Sequence, residues 1–282
     1  VSAARAAGRH LAMTTLTRRT GGSVVGVGGA YAGPDGSQAA RLYRASARQM
    51  NHQSVRDRQS CSLLGERVVL VPDVAFTDSH PEPSPPSDPV LAISLRQMEV
   101  KNIALDELKS LVIAARRADV RPVVVTQVRR DSSFHARLAQ ELDVDALLWP
   151  DDRSHREQFD RVEGLYRRTV IVFTNRLHSA VFAARRGAIV VDAVRSPNSK
   201  VAQTLGHVLR VERAATVMDD GIDRVLARRD EVCGRIEDAA QALAAERHRH
   251  GEGGGTVWRR GGADVAHCRL PAGGRWGPGG AA

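Results

Sequence analysis

From Val90 onward, short apolar runs alternate with amphipathic segments, and this pattern constrains the fold more than any other feature. The runs are Val90–Leu95, Pro122–Val128, Ala146–Trp149, Val170–Phe173 and Ala188–Val191. Between them, Ile103–Arg116, Phe134–Leu142, Arg153–Arg168 and Leu177–Arg186 carry helical spacing. Strands that are apolar throughout are buried on both faces, and each needs a crossover helix to reach a parallel neighbour. The pattern predicts a Rossmann-like α/β domain with a parallel sheet over 90–250, closed by a long helix at Gly221–Arg247.

Residues 1–80 read as a partial α/β domain. Gly21–Tyr31 predicts a short buried strand running into a glycine turn, Ser37–His52 a helix, and Arg67–Val71 a second strand. Two strands are fewer than a complete doubly wound unit needs, so the chain is expected to begin partway through this domain. Residues 81–89 hold five prolines, which favour extended backbone and mark a linker. Residues 251–282 hold 11 of the 25 glycines and predict a Gly/Arg-rich tail without a fold.

The formal charge of +9 is concentrated at the ends. Residues 1–60 carry +7 and 246–282 carry +3, which leaves −1 for the central body. With aromatic residues at only 4%, neither a basic face nor stacking platforms for single strands are indicated, and no nucleic acid partner is expected. No apolar run approaches the ~20 residues of a transmembrane helix. Three cysteines without CxxC spacing exclude a Cys-based zinc site and make a reducing cytoplasm the expected location. Thr17-Arg18-Arg19-Thr20 faintly resembles a twin-arginine export signal, but Gly21 and Gly22 stand where large apolar residues should follow.

Gly26–Gly29 lacks the full GxGxxG spacing of a dinucleotide loop and reads as close backbone approach at a strand end. Neither a P-loop, a GxSxG elbow nor an HExxH metal site occurs, and isolated histidines such as His135 and His155 read as surface or core. Thr174-Asn175-Arg176-Leu177-His178 is the most informative segment, because it follows an apolar strand and opens a helix. Ligands of open α/β sheets bind there, and a fixed cation beside an imidazole and a helix N-terminus suits an anion. Arg96 follows another strand. In Val55-Arg56-Asp57-Arg58-Gln59-Ser60, chemistry alone makes Asp57 and Ser60 caps of the next helix.

Taken in order, Val55–Ser60, Val71-Pro-Asp-Val-Ala-Phe76, Ile93-Ser-Leu-Arg96 and Asn175-Arg-Leu-His178 resemble the polysaccharide pyruvyl transferase family. Lys200, before an apolar helix, is similar as well. The resemblance implies a GT-B-like fold and transfer of a pyruvyl group from phosphoenolpyruvate to sugar hydroxyls of a cell-envelope or exopolysaccharide precursor. It implies that Arg56, Arg176 and His178 are catalytic: the arginines hold phosphate and carboxylate, and His178 handles the proton as phosphate departs. Arg96, Asn175 and Leu177 are implied as substrate-binding, with Leu177 packing to fix the turn. Neither a metal nor a cofactor is implied beyond phosphoenolpyruvate as donor, and the saccharide acceptor can be lipid- or nucleotide-linked. Family members carry a longer amino-terminal half, so two alternatives stand beside this reading. One is a GT-B-type glycosyltransferase; the other is an inactive remnant acting as a binding module.

Overall fold

A computed structural model of the chain describes residues 3–31, 33–81, 86–96, 105–194, 199–213, 216–217 and 220–251. The chain divides into two compact units between Val71 and Pro72.

The first unit holds a three-stranded parallel sheet in the order β1 (Val25–Gly29), β2 (His52–Val55), β3 (Val69–Leu70). Helix α2 (Gln38–Gln49) connects β1 to β2, and α3 (Arg58–Leu64) connects β2 to β3. Ala47, Val55, Cys61, Leu64 and Val68 form the core, with Tyr31 and Tyr43 packed against it. Helix α1 (Ala3–Arg19) lies on α2. His10 and Thr14 both reach the Ser46 hydroxyl at 2.9 Å, and Arg18 donates to Asn51 Oδ1 at 3.0 Å. The arginine pair therefore ends a packed helix that the sequence reading did not foresee.

Two further expectations change here. The glycine-rich strand was expected to be buried, yet Val25 and Val27 are 49% and 54% exposed, because β1 is an edge strand paired only with β2. Gly28 takes φ +61° at a bulge in β1, and a Cβ on Gly29 would lie 2.7 Å from the Tyr31 ring, so close approach explains the glycines. The central strand β2 went unforeseen because His52, Gln53 and Ser54 present no apolar run. Its polar groups are used internally: Ser54 Oγ accepts from Gly28 N–H at 3.1 Å, and Gln53 Nε2 donates to the Tyr31 hydroxyl.

Asp57 caps α3. Its carboxylate accepts from Ser60 N–H at 2.7 Å and from the Ser60 hydroxyl at 2.8 Å, and Ser60 Oγ accepts from Tyr31 N–H at 2.7 Å. Asp57→Ala should lower the stability of this unit by about 1–2 kcal/mol and Asp57→Asn by less, as read by urea denaturation. Equal effects of the two would remove the capping role.

The second unit begins at Pro72, ahead of the proline-rich stretch 81–89, of which residues 82–85 lie outside the described residues. The reason is Asp73, which caps the 3-10 turn Val74–Asp78 by accepting from Ala75 N–H at 3.0 Å. This turn packs on the closing helix Arg229–Gly251 with Phe76 fully buried.

Six parallel strands follow: β4 (Val90–Ser94), β5 (Arg121–Val125), β6 (Asp145–Leu147), β7 (Thr169–Thr174), β8 (Ile189–Asp192) and β9 (Glu212–Arg213). Their order is β6-β5-β4-β7-β8-β9. The chain winds outward from β4, then returns to β7 on its other side. The reversal sits between β4 and β7, whose residues are all buried. Helices α4 (Leu105–Arg117), α5 (Ser132–Leu142), α6 (His155–Tyr166), α7 (Leu177–Ala184) and α8 (Lys200–Leu205) lie among the strands. In α4 the buried stripe Leu108, Leu111, Val112 and Ala115 follows i, i+3, i+4, i+7. Acidic residues open α4 and basic ones close it, complementing its dipole.

The expected long helix at 221–247 is instead two, Ile222–Leu226 and Arg229–Gly251. The break is held by Arg228, which donates to Glu212 at 2.9 Å and to Asp220 at 2.7 Å. Residues 252–282 of the expected tail lie outside the described residues. Among the described residues, no helix is long and apolar enough to cross a membrane.

Candidate functional site

Ligands of a doubly wound sheet bind at the carboxyl ends of the strands flanking the reversal. Here those ends are Ser94-Leu95-Arg96 and Thr174-Asn175-Arg176. The two are joined by side chains. Asn175 Oδ1 accepts from Arg96 N–H at 2.7 Å, its Nδ2 donates to the Arg96 carbonyl at 3.4 Å, and the Thr174 hydroxyl donates to the Ser94 carbonyl. Thr174 Oγ1 also accepts from Arg176 N–H at 2.9 Å, which shapes the entry into α7.

Beneath this floor runs a buried polar network. The Ser179 hydroxyl lies 3.0 Å from that of Ser94 and donates to Gln127 Oε1 at 2.7 Å. Burial raises the Tyr166 hydroxyl well above its ordinary pKa, a shift opposed by the nearby Ser179 hydroxyl. The end of β4 is tied to β5 by His135, which is completely buried. Its Nε2 lies 2.8 Å from the Leu95 carbonyl and its Nδ1 2.9 Å from the Thr126 hydroxyl. A carbonyl only accepts, so Nε2 carries the hydrogen and Nδ1 takes one from Thr126.

Above the floor lies a cavity of about 350 Å³, lined by Arg96, Gln127, Asn175, Arg176, Leu177, His178 and Lys200 among others. That volume suits a small metabolite. Ser199 caps α8 by accepting from Ala202 N–H at 3.0 Å and anchors to Asp192, which sets Lys200 at the rim. Arg176 is ion-paired with Asp131, and both side chains are largely buried at 12% and 5% exposure. Arg176 thus keeps a fixed place while its charge is partly answered within the protein by Asp131. Arg96 and Lys200 supply the cavity's remaining side-chain cations. His178 is exposed on the first turn of α7, with its ring stacked on Phe182 at 6.2 Å.

A larger cavity, about 860 Å³, opens around Val120–Pro122 and Val144–Ala146, at the amino ends of β5 and β6. Its Arg116 and Arg121 are ion-paired with Asp143 and Asp145, and it lies at the end of the sheet away from the reversal. Topology and charge both favour the smaller cavity.

Five of the six residues singled out from the sequence, Arg96, Asn175, Arg176, Leu177 and His178, therefore line one cavity. Asn175 holds the two strand ends together and acts as a positioning residue. Arg56 belongs to the first unit, directly after β2, where its N–H donates to the Gly29 carbonyl at 3.1 Å. Asp131 and Gln127 were missed, and His135 was read only as surface or core. Gln127 follows a strand end as Arg96 does. His135 shares the i, i+3, i+4, i+7 stripe of Leu138, Ala139 and Leu142, which signals burial. Among the described residues, no group of His, Cys, Asp or Glu is placed to hold a metal ion.

Solved structures share the architecture. A Listeria monocytogenes protein described as a UDP-N-acetylglucosamine 2-epimerase matches with TM-score 0.50 at 10% identity, over 89% of this chain and 80% of that one. The UDP-GlcNAc 2-epimerase of Neisseria meningitidis gives TM-score 0.48 at 10% identity, over 87% and 81%. The O-GlcNAc transferase of Thermobaculum terrenum gives 0.45 at 14%, over 85% and 54%. At 10% identity the Listeria likeness concerns fold alone, and that fold is GT-B-like; the two lower scores carry no inference. No curated protein matches the chain. The sequence pattern of the family described as polysaccharide pyruvyl transferase matches residues 16–185, a span that includes Arg56, Arg96 and Asn175–His178; the chain belongs to that family.

Proposed function

We propose that the protein transfers the pyruvyl group of phosphoenolpyruvate to hydroxyls of a saccharide, in the cytoplasm, toward a cell-envelope or exopolysaccharide. The observation that carries this reading is the convergence of Arg96, Arg176, Lys200 and His178 on one small cavity at the sheet reversal. Phosphoenolpyruvate presents a phosphate and a carboxylate on three carbons. Guanidinium groups suit both because each can contact two oxygens and stays charged. The amino end of α7 adds a positive dipole. Arg56 enters through the family resemblance alone.

In the reaction, one sugar hydroxyl adds to C2 of the enolpyruvyl group while C3 takes up a proton and becomes a methyl. The C2–O bond to phosphate then breaks, and a second hydroxyl adds to C2, closing a cyclic ketal. The two hydroxyl protons end on C3 and on phosphate, so the products are the ketal and inorganic phosphate. His178 fits the role of proton carrier because imidazole exchanges protons near neutrality.

Phosphate release from phosphoenolpyruvate, with a pyranoside carrying free 4- and 6-hydroxyls, tests the reading. His178→Ala should slow release by about 10²–10⁴-fold with phosphoenolpyruvate affinity little changed. Arg96→Ala should weaken that affinity about ten- to a hundredfold, the loss of one or two charge-assisted hydrogen bonds. Release of a nucleoside diphosphate from a nucleotide sugar, with no response to phosphoenolpyruvate, would overturn the proposal.

A further inference from the structure

A second cavity, about 480 Å³, adjoins the first and shares Gln127, Val128 and His178 with it. Its other walls combine aromatic rings with Arg156, Gln158, Val162 and Glu163. Phe159 meets Phe182 edge to face at 6.1 Å and 89°, and Trp149 meets His155 at 4.7 Å and 88°. Trp149 is fixed from several sides: Arg129 lies over its ring at 4.9 Å, and its Nε1 donates to the Arg153 carbonyl at 3.1 Å. Phe159 is different. It is 41% exposed on a helix whose other exposed positions include Arg156, Asp160 and Arg161. A large apolar side chain exposed at the mouth of a cavity, on an otherwise charged helix face, suits a ligand better than it suits water.

We infer that this aromatic cavity is the acceptor subsite, taking a pyranose ring against Phe159 and Phe182 with its hydroxyls toward Gln127 and His178. The inference rests on the donor reading above. Reaction at C2 requires an acceptor oxygen within about 3–3.5 Å of that carbon, so the acceptor ring must lie just across the wall of the donor cavity. That wall is His178, held by its stacking on Phe182. Perpendicular rings form a corner that contacts the C–H face of a sugar on one side and its edge on the other. Polar His155 and Arg156 at the lining offer partners for the outward hydroxyls. The same wall therefore places the imidazole between donor and acceptor, where the hydroxyl proton must pass.

Saturation-transfer NMR on the full chain, with methyl glucopyranoside, galactopyranoside and mannopyranoside as probes, tests this directly. At least one should receive saturation on one face of its ring. Phe159→Ala should weaken it fivefold or more, while Phe159→Tyr should retain it. Because Phe159 is substantially exposed, the thermal midpoint of Phe159→Ala should remain near that of the parent chain. Phosphoenolpyruvate affinity by calorimetry should be the same in all three proteins. Sugar binding unaffected by Phe159→Ala, no binding of any probe, or uridine occupying the cavity in place of the pyranosides would each overturn the subsite. Failure of phosphoenolpyruvate to bind the parent chain would instead overturn the donor reading, with the Phe159-dependent sugar signal still present.

Discussion

Asp131→Ala is expected to destabilise the second unit by about 3–5 kcal/mol, against a total of about 5–15 kcal/mol for a typical domain. The pair it breaks is largely buried on both sides, Arg176 at 12% and Asp131 at 5% side-chain exposure. Removing the carboxylate leaves a guanidinium in a place where little water can reach it. The loss reflects that stranded charge rather than the net contribution of the pair. Replacing both partners, Asp131→Leu with Arg176→Met, should therefore recover much of the stability, since an apolar pair of similar volume leaves no unpaired charge. Phosphoenolpyruvate binding should not return in the double variant, because the cavity has lost a guanidinium. Urea denaturation followed by circular dichroism reads the first effect and calorimetry the second. If Asp131→Ala costs less than about 1 kcal/mol, the pair behaves as a solvated surface contact and Arg176 is positioned by other means.

What the sequence disclosed follows from what each signal reports. The apolar runs from Val90 to Val191 announced strands buried on both faces; β4, β6, β7 and β8 lie within a residue or two of them, and β5 ends three residues before its run does. Strands stabilised by polar side chains are silent to that signal. Hence β2 was missed, since Gln53 and Ser54 satisfy neighbouring groups within the sheet. The edge strand β9, Glu212–Arg213, was missed for the same lack of an apolar run. Helix α1 has only Ala7 and Thr14 buried, so its contact with α2 is made through small residues that carry no hydrophobic period.

The site divides in the same way. Residues immediately after strands were legible as ligand-facing because topology alone directs them, which gave Arg96 and Arg176–His178. Their roles were less legible. Asn175 resembles a ligand-binding amide in sequence, yet both ends of its side chain are engaged by the Arg96 backbone. Asp131 stands 45 residues from Arg176 along the chain, and no local pattern announces that they meet. The proline-rich stretch marked a change of composition, whereas the division between units lies where packing changes, ahead of Asp73 and its capped turn.

Stability of the second unit should also fall as the pH drops below about 6.5, and His135 should be the cause. Burial pushes its imidazole below the ordinary histidine value, opposed by the Leu95 carbonyl it donates to. In the unfolded chain the same group titrates near 6.5. Below that pH the unfolded state binds a proton that the folded state refuses, so acidification favours unfolding. The stabilisation is complete above pH 6.5 and is lost as pH falls toward the folded-state value. One proton changes the free energy by up to about 1.4 kcal/mol per pH unit within that window. Partial burial lowers His10 in the first unit as well, so the parent chain alone does not identify the group. His135→Gln separates them: its amide can donate and accept but does not titrate. In that variant the pH dependence of the second unit's urea midpoint should flatten, while that of the first unit, where His10 lies, should be unchanged. Because the Leu95 carbonyl immediately precedes Arg96, phosphoenolpyruvate affinity of the folded parent chain should hold while His135 stays neutral and fall only once the folded state takes up that proton. Identical pH profiles in the two proteins would mean that His135 binds its proton equally well in the folded and unfolded chain and that the acid sensitivity lies elsewhere.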